Sequence, residues 1–146
     1  MLRLTRAGDY AVRVMFVLAK LPPGQVCPKS VLAKDQEMPG SFLSKILQQL
    51  AGAGLIVSHR GVRGGFCLNR DPGDISLLEV MEAVEGPLEL NACVIPEKNN
   101  CTRMDNCPGA LVWKKVQSET VRLLSGISLL AMLKEHGSKP VGPCSE

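Results

Sequence analysis

Three cysteines in the second half of the chain have the spacing of a metal or redox centre. Cys93, Cys101 and Cys107 are separated by seven and then five residues, so a flexible segment could wrap three thiolates around one centre. Soft thiolates favour an iron–sulfur cluster or zinc, and the absence of a CxxC pair argues against an ordinary zinc knuckle. We predict an iron–sulfur cluster, 2Fe-2S or 4Fe-4S, with one ligand position left open. The alternative is a set of free or redox-active thiols, including a disulfide switch.

The remaining cysteines fit other roles. Cys27 and Cys67 lie in apolar local patterns, so we expect both to be small buried side chains. Cys144 follows a stretch rich in Pro and Gly, where we expect a frayed terminus, although a ligand role stays open. No Ser-His-Asp set, glycine-rich phosphate loop or paired carboxylates stand out, so we predict that the protein is not an enzyme.

A second group of polar residues shares one side of a predicted helix. In the segment that begins near Ser41, the apolar residues recur at helical spacing on one face. The other face carries donors and acceptors at positions i, i+3, i+4 and i+7, namely Ser41, Ser44, Lys45 and Gln48. Such side chains can read base edges in the major groove of DNA. The alternative is an ordinary solvated helix face.

A basic, glycine-rich turn follows this helix. Two predicted strands, Leu55 to Val57 and Gly65 to Leu68, flank a tip that carries Arg60 and Arg63. Arginines on such a tip can enter a narrow minor groove. We expect three glycines of the tip to take positive φ and to let the backbone approach a surface, namely Gly61, Gly64 and Gly65. The alternative is a solvated hairpin.

The charge distribution supports a polyanionic partner. Residues 1–70 carry ten Lys or Arg and three Asp or Glu, whereas residues 71–146 carry seven and eleven. A basic half of this kind is the electrostatic footprint of a nucleic-acid-binding module, although a solvated basic face gives the same count.

Helical periodicity and turn signals predict the elements that position these residues. We expect a first helix from Asp9, as its N-cap, to Lys20, and a short second helix from about Lys29 to Lys34. Ser76 and Glu79 form a capping box for a helix to about Val84. A long helix should start at Pro108 and run to about Leu124, with Gly126 interrupting it, and a short helix should run from Ser128 to about Glu135. The fold class is therefore mainly α with a small β-hairpin wing, a winged helix-turn-helix followed by a long C-terminal helix.

Several segments together resemble one family of bacterial regulators. They are Leu2-Arg3-Leu4-Thr5, Asp9-Tyr10-Ala11-Val12, the helix from Phe42 to Leu50, Ala53-Gly54-Leu55-Ile56, the wing from Arg60 to Phe66, and Ile75-Ser76-Leu77 through Val84-Glu85-Gly86. With the three cysteines and the long helix, they follow the order found in the IscR/NsrR/RirA family. The resemblance implies a homodimer built on the long helix, a palindromic operator in double-stranded DNA, and an iron–sulfur cluster held by the three cysteines. It also implies base-reading roles for Ser41, Ser44 and Lys45, and makes Arg60 the wing arginine.

The fourth ligand is where the chain departs from part of that family. The IscR-type branch has a histidine three residues after the last cysteine, and this chain has Ala110 there. Asp9 matches the acidic residue that NsrR-type members contribute, so the resemblance implies Asp9 of the partner subunit as a fourth ligand. Its alternative role is the N-cap of the first helix. The cysteine spacing looks closer to the RirA-type branch, so iron, nitric oxide and oxygen all stay open as the signal.

These inferences divide the chain into four parts. They are a DNA-binding domain over 1–86, a cysteine-bearing cluster loop over 87–107, dimerisation helices over 108–136 and a flexible tail over 137–146. We predict a cytoplasmic transcriptional regulator with no membrane segment, because the apolar stretch near the N-terminus is short and broken by Arg13 and Lys20. Two alternatives are a cluster-free or thiol-redox DNA-binding regulator, and an interaction module that acts through its C-terminal helix.

Overall fold

The computed structural model describes residues 4–94 and 101–136. The expected tail, with Cys144, and part of the expected cluster loop lie outside the described residues. Within them the chain forms six α-helices and one antiparallel hairpin: α1 (Arg6–Lys20), α2 (Lys29–Asp35), α3 (Gly40–Gly52), β1 (Ile56–His59), β2 (Gly65–Leu68), α4 (Leu77–Glu85), α5 (Pro108–Gly126) and α6 (Leu129–His136). Short 3-10 turns lie at Pro72–Asp74, Ala92–Val94 and Met104–Asn106. The predicted fold class, mainly α with a small hairpin, is confirmed.

The first helix begins earlier than expected. Its N-cap is Thr5, whose hydroxyl accepts a hydrogen bond from the Gly8 amide at 3.2 Å. Asp9 therefore lies in the first turn of α1, and its predicted role as N-cap is wrong. A threonine with extended backbone can also satisfy one of the free amides at a helix start. Asp9 instead forms an exposed ion pair with Arg13, with 3.0 Å between carboxylate oxygen and guanidinium nitrogen.

The core lies between α1 and α3. On α3 the predicted apolar face is buried, with Leu43, Ile46, Leu47 and Leu50 at 0–1% exposure. On α1, Val12 and Phe16 are only half-buried. The centre of the core is formed instead by Ala11, Val14, Met15 and Leu18. The side of α1 that carries Phe16 faces α6, where the Phe16 ring stacks on His136 at 5.2 Å between centroids.

The hairpin is anchored to the segment before α2. β1 and β2 pair antiparallel, with Val57 opposite Cys67 and His59 opposite Gly65. Two backbone hydrogen bonds of 2.8 and 2.9 Å also join Cys27 to Phe66. An alanine Cβ at Gly65 would lie 2.6 Å from the carbonyl carbon of Cys27, so only glycine permits this approach. The hairpin is thus fixed through β2, close to its tip, against the segment that leads into α2.

The second half of the chain is arranged around α4. Ser76 and Glu79 form the predicted capping box at its start. The end of α5 returns to the same point, where the Leu77 amide donates to the Ile127 carbonyl at 2.8 Å and the Leu129 amide to the Ile75 carbonyl at 3.0 Å. Gly126 ends α5, as predicted. These contacts hold the junction of α5 and α6 against the start of α4.

Candidate nucleic-acid interface and cysteine segment

The predicted base-reading residues share the outer face of α3. Ser41, Lys45 and Gln48 are exposed, and Ser44 is half-buried between them. The burial of Leu43, Ile46 and Leu47 explains this arrangement, because it turns the opposite face of the helix toward solvent. The structure therefore brings the four predicted side chains together on one face.

Helix α2 adds a residue to this face that the sequence analysis missed. The Lys29 ammonium donates a hydrogen bond to the Ser44 hydroxyl. Ser44 in turn donates to the Gly40 carbonyl at 2.9 Å. Lys29 and Ser44 are fifteen residues apart in the sequence, so the contact depends on how the turn between α2 and α3 aligns the two helices. The sequence signal that could have found it is a lysine at the first position of the predicted second helix.

The tip of the hairpin is an open, cationic turn. Arg60 and Arg63 are exposed, and the Val62 side chain between them is fully exposed. Gly61 has a φ of +115° and its carbonyl accepts from the Gly64 amide at 3.0 Å. Gly64 and Gly65 do not take positive φ, so that part of the prediction is wrong. These two glycines are needed because a Cβ there would collide with nearby backbone: an alanine Cβ at Gly64 would lie 2.5 Å from the His59 carbonyl oxygen.

Cys27 and Cys67 are buried, as expected. The Cys67 thiol is free and lies 3.3 Å from Nε2 of His59 on the neighbouring strand. His59 is exposed and makes this contact through its ring nitrogen. The histidine thus closes one edge of the wing over the Cys67 sulfur.

Cys93, Cys101 and Cys107 are free thiols in the part of the chain that joins α4 to α5. Cys101 is exposed, and Cys93 and Cys107 are partly exposed. Cys107 directly precedes Pro108, the first residue of α5. Their donor chemistry fits an iron–sulfur cluster, because each thiol is unpaired and accessible. Within residues 4–94 and 101–136, however, no three His, Cys, Asp or Glu side chains are grouped to hold a metal ion.

The chain leading from α4 to these cysteines is held at several points. The Leu88 amide donates to the Glu82 carboxylate at 3.1 Å. The Gln117 side chain of α5 accepts from the Leu90 amide at 3.0 Å and donates to the Leu88 carbonyl. Gln117 thus pairs with the backbone as a neighbouring strand would, and Cys93 follows Leu90 by three residues. We call residues 86–90 the strap.

The end of α4 also contacts the start of α1. The Glu85 carboxylate accepts hydrogen bonds from the Thr5 hydroxyl at 2.7 Å and the Thr5 amide at 3.2 Å. A Cβ at Gly8 would collide with this carboxylate. Asp9, the predicted fourth ligand, follows Gly8, and its carboxylate is about half exposed beside Arg13. The hydrogen bonds between Glu85 and Thr5 therefore link the residue before the strap to the start of α1, where Asp9 lies.

The carboxyl group of Glu79, at the start of α4, has a lowered pKa. Hydrogen bonding from the Ser76 amide lowers the pKa of Glu79, and a hydrogen bond from Arg70 lowers it further. The Arg70–Glu79 ion pair, at 2.7 Å, is well exposed on both sides. Its role is structural, because it joins the chain after β2 to the capping box of α4.

The arrangement of α2, α3 and the basic hairpin defines the chain as a winged helix-turn-helix protein. Residues 4–135 match the sequence pattern of the Rrf2 family, described as iron-dependent transcriptional regulators. The chain belongs to the Rrf2 family. No helix in the described part of the chain has the length and apolar character needed to span a membrane.

Individual relatives agree with this assignment. The HTH-type transcriptional regulator IscR of Xenorhabdus nematophila is 31% identical over 135 residues, which span 92% of this chain and 81% of that protein. The solved structure of T. potens IscR is 28% identical, with a TM-score of 0.74 over 93% of this chain and 89% of that one. CymR, the global cysteine regulator of B. subtilis, has the same fold at 21% identity, with a TM-score of 0.74 over 92% and 98% of the two chains. This chain is thus an IscR-like transcriptional regulator, a class whose action implies binding to DNA, and these relatives are regulators rather than enzymes.

Proposed function

We propose that the chain binds a palindromic operator as a homodimer, with α3 in the major groove and the wing tip in the adjacent minor groove. Ser41, Ser44, Lys45 and Gln48 contact base edges, and Arg60 and Arg63 contact the minor groove or the phosphates. The observation that carries this proposal is that the outer face of α3 presents polar and cationic side chains and that the hairpin carries an exposed arginine-bearing turn.

Substitution of one residue on each element tests this proposal. Lys45→Ala and Arg60→Ala should each weaken binding to a selected operator about 10-fold or more, because each removes a charge-assisted contact worth ~1–3 kcal/mol. The measurement is fluorescence anisotropy at fixed salt. Lys114→Ala, which removes an exposed lysine from α5, is the matched control and should bind as the unmodified protein does. Equal affinity of all three variants would refute the interface.

We further propose that Cys93, Cys101 and Cys107 hold an iron–sulfur cluster, with Asp9 of the partner subunit as the fourth ligand. Support comes from three free, accessible thiols, on a segment whose described residues, 91–94 and 101–107, contain only short 3-10 turns. A bound cluster supplies a centre that iron shortage, nitric oxide or oxygen can alter. The Asp9 carboxylate would have to exchange its Arg13 ion pair for the metal, which its exposure makes feasible.

The strap lies at the start of the cluster loop and provides its physical connection to the DNA-binding domain. Gln117 ties it to α5, and Glu85 ties the end of α4 to α1. A change in the conformation of the loop would therefore act on α5 and α1 together. If α5 is the dimer helix, that change alters the spacing of the two reading heads, and the two states differ in affinity for DNA.

Anaerobic purification tests the cluster directly. The protein should be coloured and contain iron and acid-labile sulfide, and operator affinity should differ between the cluster-loaded and cluster-free forms. Cys93→Ala, Cys101→Ala and Cys107→Ala should each lose iron. Cys67→Ala, which removes a free but buried thiol, should retain it. A colourless, iron-free protein would refute the cluster proposal and leave DNA binding untouched.

A thiol-based regulator without a cluster is the second candidate. The observation in its favour is that the three thiols are free but not grouped around a common centre in the described chain. In that case mild oxidation, followed by mass spectrometry, should reveal a disulfide between two of the three cysteines. Operator affinity should then change with oxidation and return with dithiothreitol.

A further inference from the structure

The contact between Lys29 and Ser44 determines which hydrogen bonds Ser44 can still make. A serine hydroxyl has one O–H donor and two acceptor lone pairs. In the structure its O–H donates to the Gly40 carbonyl at 2.9 Å, and one lone pair accepts from the Lys29 ammonium. What remains free on Ser44 is a single acceptor position.

Lys29 compensates for the missing donor. An ammonium has three N–H donors, and Ser44 uses one of them. Lys29 lies at the start of α2 and is exposed, so its other donors can reach a ligand that approaches α3. The two side chains together therefore present a donor and an acceptor side by side, in the middle of the polar row on α3.

In the major groove, adenine presents the complementary pair. Its N7 accepts and its N6 amino group donates, whereas guanine presents two acceptors, N7 and O6. A guanine O6 would face the free lone pair of Ser44, and the hydroxyl could donate to it only by giving up its bond to Gly40. Discrimination should therefore favour adenine over guanine.

We propose that Lys29 and Ser44 act as one reading unit that selects an adenine in the operator, with Lys29 donating to N7 and Ser44 accepting from N6. This inference rests on the proposed function, because it takes α3 to lie in the major groove. It adds a specificity-determining residue from α2 to the row on α3, and it assigns a base to the pair. A simple phosphate contact by Lys29 would carry no such preference.

The test uses the full-length protein and an operator selected by the unmodified chain from a random duplex library. Every position of the operator is then changed to each other base, and affinities are measured at fixed salt for Lys29→Ala, Ser44→Ala and the double variant. Lys34→Ala is the matched control, since Lys34 is an exposed lysine in the last turn of the same helix. At one position per half-site the unmodified protein should prefer adenine over guanine by about 10-fold or more. Both single variants should lose that preference at that position, and the double variant should lose no more than the worse single variant.

Three results would overturn the proposal. A uniform loss of affinity over all sequences in Lys29→Ala, with a salt dependence lower by about one counterion, would make Lys29 a phosphate contact. A position that prefers guanine and responds to both variants would refute the assigned base. Lys29→Ala that behaves as Lys34→Ala does would remove Lys29 from the interface. In these cases the proposed function survives, because the unmodified protein still selects a sequence, whereas failure to select any sequence would refute the proposed function together with the reading unit.

Discussion

The segment from α1 to β2 and the helix α5 differ in how much apolar surface each buries within one copy of the chain. Sixteen of the twenty buried hydrophobic residues in the described chain lie between Ala11 and Cys67. Helix α5 has nineteen residues and contributes one, Ala110. Its outer face is apolar and open, with Val112 at 58%, Val116 at 37% and Leu123 at 61% exposure.

The segment from α1 to β2 therefore has its apolar faces covered within one copy of the chain, whereas α5 does not. A helix in a globular protein gains most of its stability by burying an apolar face. The segment from α1 to β2, packed against α4 and α6, satisfies this within one copy of the chain. The face of α5 that carries Val112, Val116 and Leu123 points away from Gln117, which is held to the strap. A second copy of the chain is the proposed occupant of that face, and the following predictions would break or sharpen the contrast.

The largest effect on stability is expected from a cavity in the segment from α1 to β2. Leu43 is fully buried, so Leu43→Ala should lower the free energy of unfolding by ~2–5 kcal/mol. The matched change on α5, Leu123→Ala, should alter it by less than ~0.5 kcal/mol when measured at a concentration where the chain is monomeric. Urea denaturation gives both values. Similar losses at the two leucines would contradict the contrast between the regions.

A charged substitution on the open face of α5 should act on assembly. Val112→Glu combined with Leu123→Glu should raise the dimer dissociation constant about 100-fold, because ~2–3 kcal/mol is typical for removal of a buried interface anchor. Analytical ultracentrifugation measures it, and circular dichroism should show unchanged helix content. Lys114→Glu serves as the control, since Lys114 lies on the same helix but outside the face formed by Val112, Val116 and Leu123. A dimer that withstands the double change would place the subunit interface elsewhere.

A smaller effect is expected where the wing meets the head. Gly65→Ala introduces a Cβ that would lie 2.9 Å from the Cα of Pro28. We expect a loss of ~1–3 kcal/mol in unfolding free energy, since the backbone must shift to relieve the contact. Gly52→Ala is the comparison, because a Cβ there has no atom within 4 Å. Thermal melts distinguish the two, and equal midpoints would mean that the Cys27–Phe66 pairing does not constrain the wing.

The smallest effect concerns acid stability near α4. The pKa of Glu79 is lowered in the folded protein from an ordinary value of 4.5. Its ionised form therefore stabilises the fold above pH 4.5, and that contribution is lost as the pH falls through the lowered value. Glu79→Gln should reduce the loss of unfolding free energy on acidification by under ~1 kcal/mol, because the ion pair of Glu79 with Arg70 is exposed. Glu135→Gln, an exposed change on α6, should leave the profile unaltered.

Local patterns in the sequence were sufficient where the information lies within a few residues. The capping box of Ser76 and Glu79, the glycine that ends α5 and the apolar face of α3 each depend on neighbours one or two turns away. The family resemblance, carried by short motifs, is confirmed for the same reason. Asp9 shows the limit, since Thr5 and Asp9 are both N-cap residue types, and only the path of the chain into α1 selects Thr5.

The sequence by itself determined that a polar row and two wing arginines exist, and that three thiols lie in one segment. The tertiary structure decided what surrounds them. It brought three pairs of residues into hydrogen-bonding contact, namely Lys29 with Ser44, Glu85 with Thr5, and Phe66 with Cys27. Each of these contacts joins residues far apart in the chain, and no periodicity or spacing encodes them, because they depend on how already formed helices pack against one another.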